Sequence, residues 1–157
     1  MSKSLARVRA ALEMSEVPYK VHQMEAETRT AMQAAQAVGC ALDQIAKSLL
    51  FQSEVTGELA LFLTAGGNQI DTAKAAALFG GPLVRADAKQ VRSVTGFAIG
   101  GVAPVGHLRP SPVFMDPALM RFEVIWAAAG TPRHVFSIAP HALLHLSGAR
   151  LDEFCLS

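Results

Sequence analysis

Cysteine, charge and long apolar runs are all scarce in this chain of 157 residues, and each scarcity excludes something. No apolar stretch approaches the roughly 20 residues that cross a bilayer. The opening Met1-Ser2-Lys3-Ser4-Leu5-Ala6-Arg7 runs into a charged amphipathic segment and not a signal-peptide core, so a soluble, cytoplasmic protein is expected. The two cysteines, Cys40 and Cys155, stand far apart, with no CxxC and no Cys/His ligand spacing around either. That disfavours a zinc site and a disulfide framework and leaves free thiols as the expectation. Charged residues make up 17% of the chain and the formal net charge is +1, too little for wrapping DNA duplex by counterion release. A short contact with one RNA end stays compatible with that balance. Lys74, Arg85, Lys89 and Arg92 fall in one central segment. They form either such a patch or a solvated helical face, and charge alone favours the solvated face.

Reaction signatures are missing as well. No Walker-type Gly-Lys-Ser/Thr ending and no GxGxxG opening a helix is present, which argues against a nucleotide-binding doubly wound fold. No Gly-x-Ser-x-Gly elbow occurs, neither cysteine has a histidine near it in sequence, and carboxylates are sparse around the glycine-rich segment described below. His141 and His145 are one helical turn apart, but no third ligand accompanies them, so no metal and no cofactor is expected.

What is present is apolar and ordered. Apolar residues make up 51% of the chain, enough for a full core, and no linker, repeat or composition break interrupts it, so one domain over residues 1–157 is expected. Leu5, Val8 and Leu12 at helical spacing predict a helix over about 3–14, and Pro18-Tyr19-Lys20-Val21-His22 begins a strand. Thr30 with Gln33 forms a capping box for an alanine-rich helix that Gly39 closes. The runs Ile45 to Phe51 and Leu59 to Leu63, separated by a turn with Gly57, read as a hairpin whose second strand is buried on both faces. Asp71 caps a helix stopped by Gly80-Gly81, and a shorter helix runs from about Asp87 to Val94. Val113-Phe114-Met115, Val124 to Ala127 and Val135 to Ile138 are strands, and Pro140 opens a last helix ended by Gly148. The expected fold is mixed α/β, a curved mixed sheet surrounded by helices.

Two features stand out against this background. Period-two alternation sets Lys47 on the strand face of Ile45, Leu49 and Phe51. A charge on an apolar face either finds a partner, has its pKa displaced, or belongs to a buried stem whose head reaches water at the strand end. The second feature is the segment Gly100-Gly101-Val102-Ala103-Pro104-Val105-Gly106-His107, with little side-chain bulk and the freedom to lay peptide N–H groups against a ligand. As a bare pattern it is also an ordinary surface turn. A further turn, Ala129 to His134, places His134 in phase with Phe136 and Ile138, either aimed at a site or packed in the core.

Together, Ile45-Ala46-Lys47-Ser48-Leu49-Leu50-Phe51, the Gly-Gly-x-x-Pro-x-Gly loop, and a glycine-containing turn leading to Ile138-Ala139-Pro140 resemble the YbaK/ProX family of aminoacyl-tRNA editing domains, over nearly the whole chain. Pro18-Tyr19-Lys20-Val21-His22 is similar to that family's first strand. The resemblance implies a trans-editing deacylase that hydrolyses the ester of a mischarged tRNA, often tRNA(Pro), with the tRNA acceptor end as partner and prolyl-tRNA synthetase as a second one. It implies Lys47 as the essential lysine and Gly100, Gly101, Pro104 and Gly106 as the pocket loop, and His107 at its end is expected among the substrate-binding residues. Gly130 and Thr131, with His134, fall in the second substrate-facing turn, and Val102, Ala103 and that turn are expected to set pocket size. The chain has Thr131-Pro132-Arg133 where the cysteine-removing branch has Arg-Arg-Gly, and Ser48 where the alanine-removing branch has Asn. Both departures leave the amino acid open, with 2-aminobutyrate, serine and threonine among the candidates. A non-catalytic aminoacyl-tRNA or synthetase binding module, or a small-molecule hydrolase unrelated to tRNA, stands as the alternative.

Overall fold

The structure, a computed structural model, describes residues 2–157. Among them, eight strands form one mixed sheet in the order β1-β7-β6-β2-β3-β5-β8, with β4 paired to β2. The strands are β1 Tyr19–Gln23, β2 Ile45–Ser53, β3 Leu59–Ala65, β4 Leu83–Arg85, β5 Val113–Met115, β6 Ile125–Thr131, β7 His134–Ile138 and β8 Arg150–Leu151. The helices are α1 Lys3–Met14, α2 Ala31–Val38, α3 Thr72–Phe79, α4 Ala88–Thr95 and α5 Pro140–Ser147. This is the mixed α/β architecture that the element order predicts.

Local chemistry sets the helix ends. The Thr30, Asp71 and Asp87 side chains each accept from backbone N–H groups of the turn they open. Gln33 reaches back to the Arg29 N–H at 2.8 Å, so its half of the capping box lands one residue before the cap. Gly39, Gly80, Gly96 and Gly148 close α2, α3, α4 and α5 in the left-handed conformation.

β2 and β3 form the expected hairpin, and every residue of β3 is buried because β2 flanks one edge, β5 the other, and packed layers cover both faces. Alternation along β3 sends Leu59, Leu61, Leu63 and Ala65 into the large core with α1, Phe97, Val102 and Leu143. Ala60 and Phe62 go to the opposite face, against Ala75, Phe114 and Phe154. β2 divides the same way. Ala46 and Leu50 face the large core, whereas Leu49 and Phe51 join the Phe62 cluster and Ile45 packs with Ala34, Ala35 and Trp126. Lys47 belongs to this second face.

Three details depart from the sequence reading. β6 begins at Ile125, with Val124 exposed, and runs on to Thr131 through an irregularity between Ala128 and Thr131, so the turn is only Pro132-Arg133. The short strands β4 and β8 were not predicted. Neither were the 3-10 helices Leu42–Gln44 and Pro117–Arg121.

Candidate functional site: a split in the sheet beside Lys47

The site exists because β2 changes partners. It runs parallel to β6 only at Ile45↔Trp126 and Ala46↔Ala127, then pairs with β4 from Phe51↔Arg85 to Ser53↔Leu83. Along residues 47–50 that edge of β2 has no registered neighbour, and a cavity of about 670 Å³ fills the gap. Lys47, Ser48 and Leu50 form one wall, and Ala127, Ala128 and His134 another. The segment from Thr28 to Met32 and the Gly100 and Val102 positions complete it, with Arg85 and Trp126 at its margins.

Lys47 is half-buried, and its Nζ donates to the Asn68 carbonyl at 2.7 Å. Burial pulls its pKa below the ordinary lysine value, against the opposing pull of Cys155, Asp43 and Asp116. The Gly66-Gly67-Asn68 turn that presents the carbonyl is itself anchored by two carboxylates. Asp43 Oδ1 accepts from the Gly67 N–H at 2.7 Å. Asp116, 4% exposed, accepts from Asn68 Nδ2, the Ala65 and Ala118 N–H groups and the Cys155 thiol. Cys155 is pushed up to about 12 by burial first and by Asp116 next, so it is a neutral donor and not a thiolate. A Cβ on Gly66 would sit 2.2 Å from the Leu42 carbonyl oxygen, so glycine is required for the turn to close over the lysine.

The structure separates the sequence-derived candidates into groups. Lys47, Gly100, Val102, Thr131 and His134 line the one cavity. Gly101 is buried just behind it, where an added Cβ would lie 3.6 Å from the Gly130 carbonyl and the Thr131 backbone, so the glycine loop and the second turn pack directly on each other. Gly130, at φ +96, lies against Ser4 and Phe97. Ala103 is fully buried in the large core. Pro104, Gly106 and His107 line a separate cavity of about 250 Å³ with Ala11 and Leu146. There the His107 Nε2–H donates to the Ala103 carbonyl at 2.6 Å, and burial lowers the His107 pKa. The loop is therefore not a row of donors aimed at one ligand: the Gly101 N–H already donates to the Ala98 carbonyl at 3.0 Å.

In the second turn, the Thr131 hydroxyl accepts from the Arg133 N–H at 3.1 Å and donates to His134 Nδ1 at 2.7 Å. Burial, and then Arg9, lower the His134 pKa, which suits a neutral ring accepting at Nδ1. Sequence reasoning missed Arg29 and Trp126, and it placed Arg85 only in a charged segment for which the solvated face was favoured. Arg29 and Arg85 carried no motif signal beyond their charge, and Trp126 read as one more strand residue. Among the described lining residues there are three cations, Lys47, Arg29 and Arg85, and no aspartate or glutamate. The cavity therefore favours an anionic or oxygen-rich ligand.

Comparison with known proteins decides the family. The model of the aminoacyl-tRNA editing domain matches residues 25–146, which include Lys47, the glycine loop and the second turn. The chain belongs to the aminoacyl-tRNA editing domain family. YwhH of Bacillus subtilis (strain 168), an uncharacterised protein, is 32% identical over 131 residues, 83% of either chain. EbsC of Enterococcus faecalis (strain ATCC 700802 / V583), whose name proposes a Cys-tRNA(Pro)/Cys-tRNA(Cys) deacylase, is 25% identical over 90% of this chain and 88% of its own. A crystal structure described as a proposed trans-editing enzyme for prolyl-tRNA synthetase superposes with TM-score 0.92 at 47% identity, covering 100% of this chain and 99% of the other. The break in the sheet at residues 47–50 and Lys47 both lie within the matched residues.

Proposed function

We propose that this editing domain acts in trans as a hydrolase on the ester bond of a mischarged tRNA, tRNA(Pro) being the favoured carrier and a small amino acid the group removed. The observation that carries the reading is Lys47, a desolvated cation held at 2.7 Å by the Asn68 carbonyl on the wall of a cavity with no acid among its described lining residues. The names borne by EbsC and by the solved relative support the carrier and the reaction class.

Ester hydrolysis needs a nucleophile at the carbonyl carbon and stabilisation of the negative charge that grows on its oxygen. No activated serine or cysteine stands in the described cavity wall, so water is the attacking group, oriented by the vicinal ribose hydroxyl, and the ribose oxygen of the ester leaves as a hydroxyl. Lys47 stabilises the developing charge or fixes the terminal ribose and phosphate, and Arg29 and Arg85 at the margins meet backbone phosphates of the acceptor end. Val102 limits the length of the aminoacyl side chain. Because one methylene discriminates by only about 1–3 kcal/mol, the site works best by excluding a larger correct amino acid.

Lys47→Ala is expected to lower deacylation by about 10²- to 10³-fold, the usual effect of removing one oxyanion stabiliser. The measurement is loss of labelled amino acid from mischarged tRNA, with circular dichroism confirming the fold. Undiminished hydrolysis by the folded variant would defeat the assignment.

A further inference from the structure

Ser48 lies where β2 has no neighbour, and its polar groups can be followed one by one. Along an antiparallel strand, successive residues direct their N–H and C=O to alternate edges. The Ser53 N–H donates to the Glu58 carbonyl at 2.8 Å on the β3 side, and the Glu54 N–H donates to the Pro82 carbonyl at 2.9 Å on the opposite side. Even-numbered residues of β2 therefore bond away from β3. Ala46 meets β6 on that edge, the ladder ends there, and pairing resumes with β4 at Phe51. The Ser48 N–H and C=O thus face the gap, in the plane of the sheet, with no ladder partner. Ser48 lines the cavity, and its Oγ is buried without a hydrogen-bond partner among the described residues. Buried polar groups in folded proteins are nearly always paired, so this edge is built to pair with something other than the chain itself.

Resting on the deacylase reading, we propose that Ser48 is the docking position of the aminoacyl group, which binds the open edge of β2 as a strand one residue long. An aminoacyl ester carries an amino group and a carbonyl oxygen on either side of one α-carbon, the same pattern a backbone residue presents. Its amino group donates to the Ser48 carbonyl, and its ester carbonyl oxygen accepts from the Ser48 N–H, the paired bonds of two directly opposed antiparallel residues. The Ser48 hydroxyl is a second donor to that oxygen as charge grows on it.

Two further observations fit. No carboxylate among the described lining residues is available to take the amino group, so a carbonyl acceptor is needed. Opposed residues in a ladder put their side chains on one face, so the substrate side chain stands on the Ser48 face, the face of Ala46, Leu50 and Val102. Lys47 then approaches from the other face, where water is free to attack.

The test uses the full chain and an aminoacyl-adenosine in which an amide replaces the ester. In NMR titration the Ser48 amide proton is expected to move downfield and its hydrogen exchange to slow on binding. An analogue lacking the amino group should bind about tenfold more weakly, the worth of one hydrogen bond, while still shifting that proton. Ser48→Ala is expected to hydrolyse mischarged tRNA about tenfold more slowly at unchanged or higher melting temperature, because no folded-state bond is lost. A serine with a purely structural role would instead lower the melting temperature and spare kcat. If the wild type deacylates tRNA but the Ser48 amide does not respond to a bound analogue, the docking proposal is overturned and the deacylase reading survives. If the wild type deacylates no member of a mischarged panel, the reading itself falls and takes this proposal with it.

Discussion

Lys47 is the residue on which burial and charge collide. Its folded pKa lies below the lysine value of 10.5, with burial as the largest cause. The unfolded chain therefore holds this proton more firmly than the folded one, and stability rises with pH between the lowered pKa and the ordinary one. Below that window the buried cation lowers stability, so Lys47→Met is expected to melt no lower than the wild type at neutral pH. Catalysis has the opposite sign. A cationic Lys47 loses its effect as pH rises through the lowered pKa, so kcat, corrected for spontaneous ester hydrolysis, is expected to fall at a pH where exposed lysines are still charged. A profile that falls on the acid side instead would assign Lys47 as a neutral base. This residue was legible in the sequence, since period-two spacing sets it among Ile45, Leu49 and Phe51. Ser48 was legible only as a departure from a family pattern. Its open edge depends on where β6 and β4 stop, which no local pattern encodes.

Elements with strong local signals were the readable ones. Thr30, Asp71 and Asp87 at helix starts, and the apolar β2 and β3 runs around Gly57, state their structure within a few residues. β4 and β8 do not. β4 has three residues after Gly80-Gly81-Pro82, and β8 has two; each is a strand only because Phe51 or Phe114 lies opposite. The glycine loop shows the limit of motif reading. Gly100 and Val102 reach the cavity, whereas Gly106 and His107 turn toward α1, with the Gly106 Cβ position 3.1 Å from the Arg7 carbonyl oxygen. Gly130→Ala would combine φ +96 with a Cβ 2.9 Å from the Ser4 carbonyl oxygen, and a loss of more than about 1 kcal/mol in denaturant unfolding is expected. His107 gives this region an acid sensitivity. Its folded pKa is below the ordinary 6.5, chiefly through burial, so protonation favours the unfolded chain and stability drops as pH falls below that value. His107→Gln should flatten the drop in melting temperature between neutral and mildly acid buffer; an unchanged slope would place the acid sensitivity elsewhere.

At the scale of the whole molecule, a break in the sheet makes the cavity. One strand leaves β6 for β4 and opens a gap through which residues of both faces reach one space: Lys47 from the α2 and α3 side, and Ser48 and Val102 from the large core. The near-neutral composition excluded extended nucleic-acid wrapping. The charge that matters is local, three cations at a cavity without acids among its described lining residues. Pocket size should follow Val102: Val102→Phe is expected to narrow the set of amino acids removed while Lys47 and the Asn68 carbonyl stay in place. Equal rates across the set would show that selection happens elsewhere. The measurement closest to the central claim is single-turnover release of labelled amino acid from a panel of mischarged tRNAs by wild type and Lys47→Ala side by side. The account predicts wild-type release of small amino acids from tRNA, tRNA(Pro) above all, and a loss of about 10²-fold or more in the variant. Release that is equal in the two proteins would contradict it.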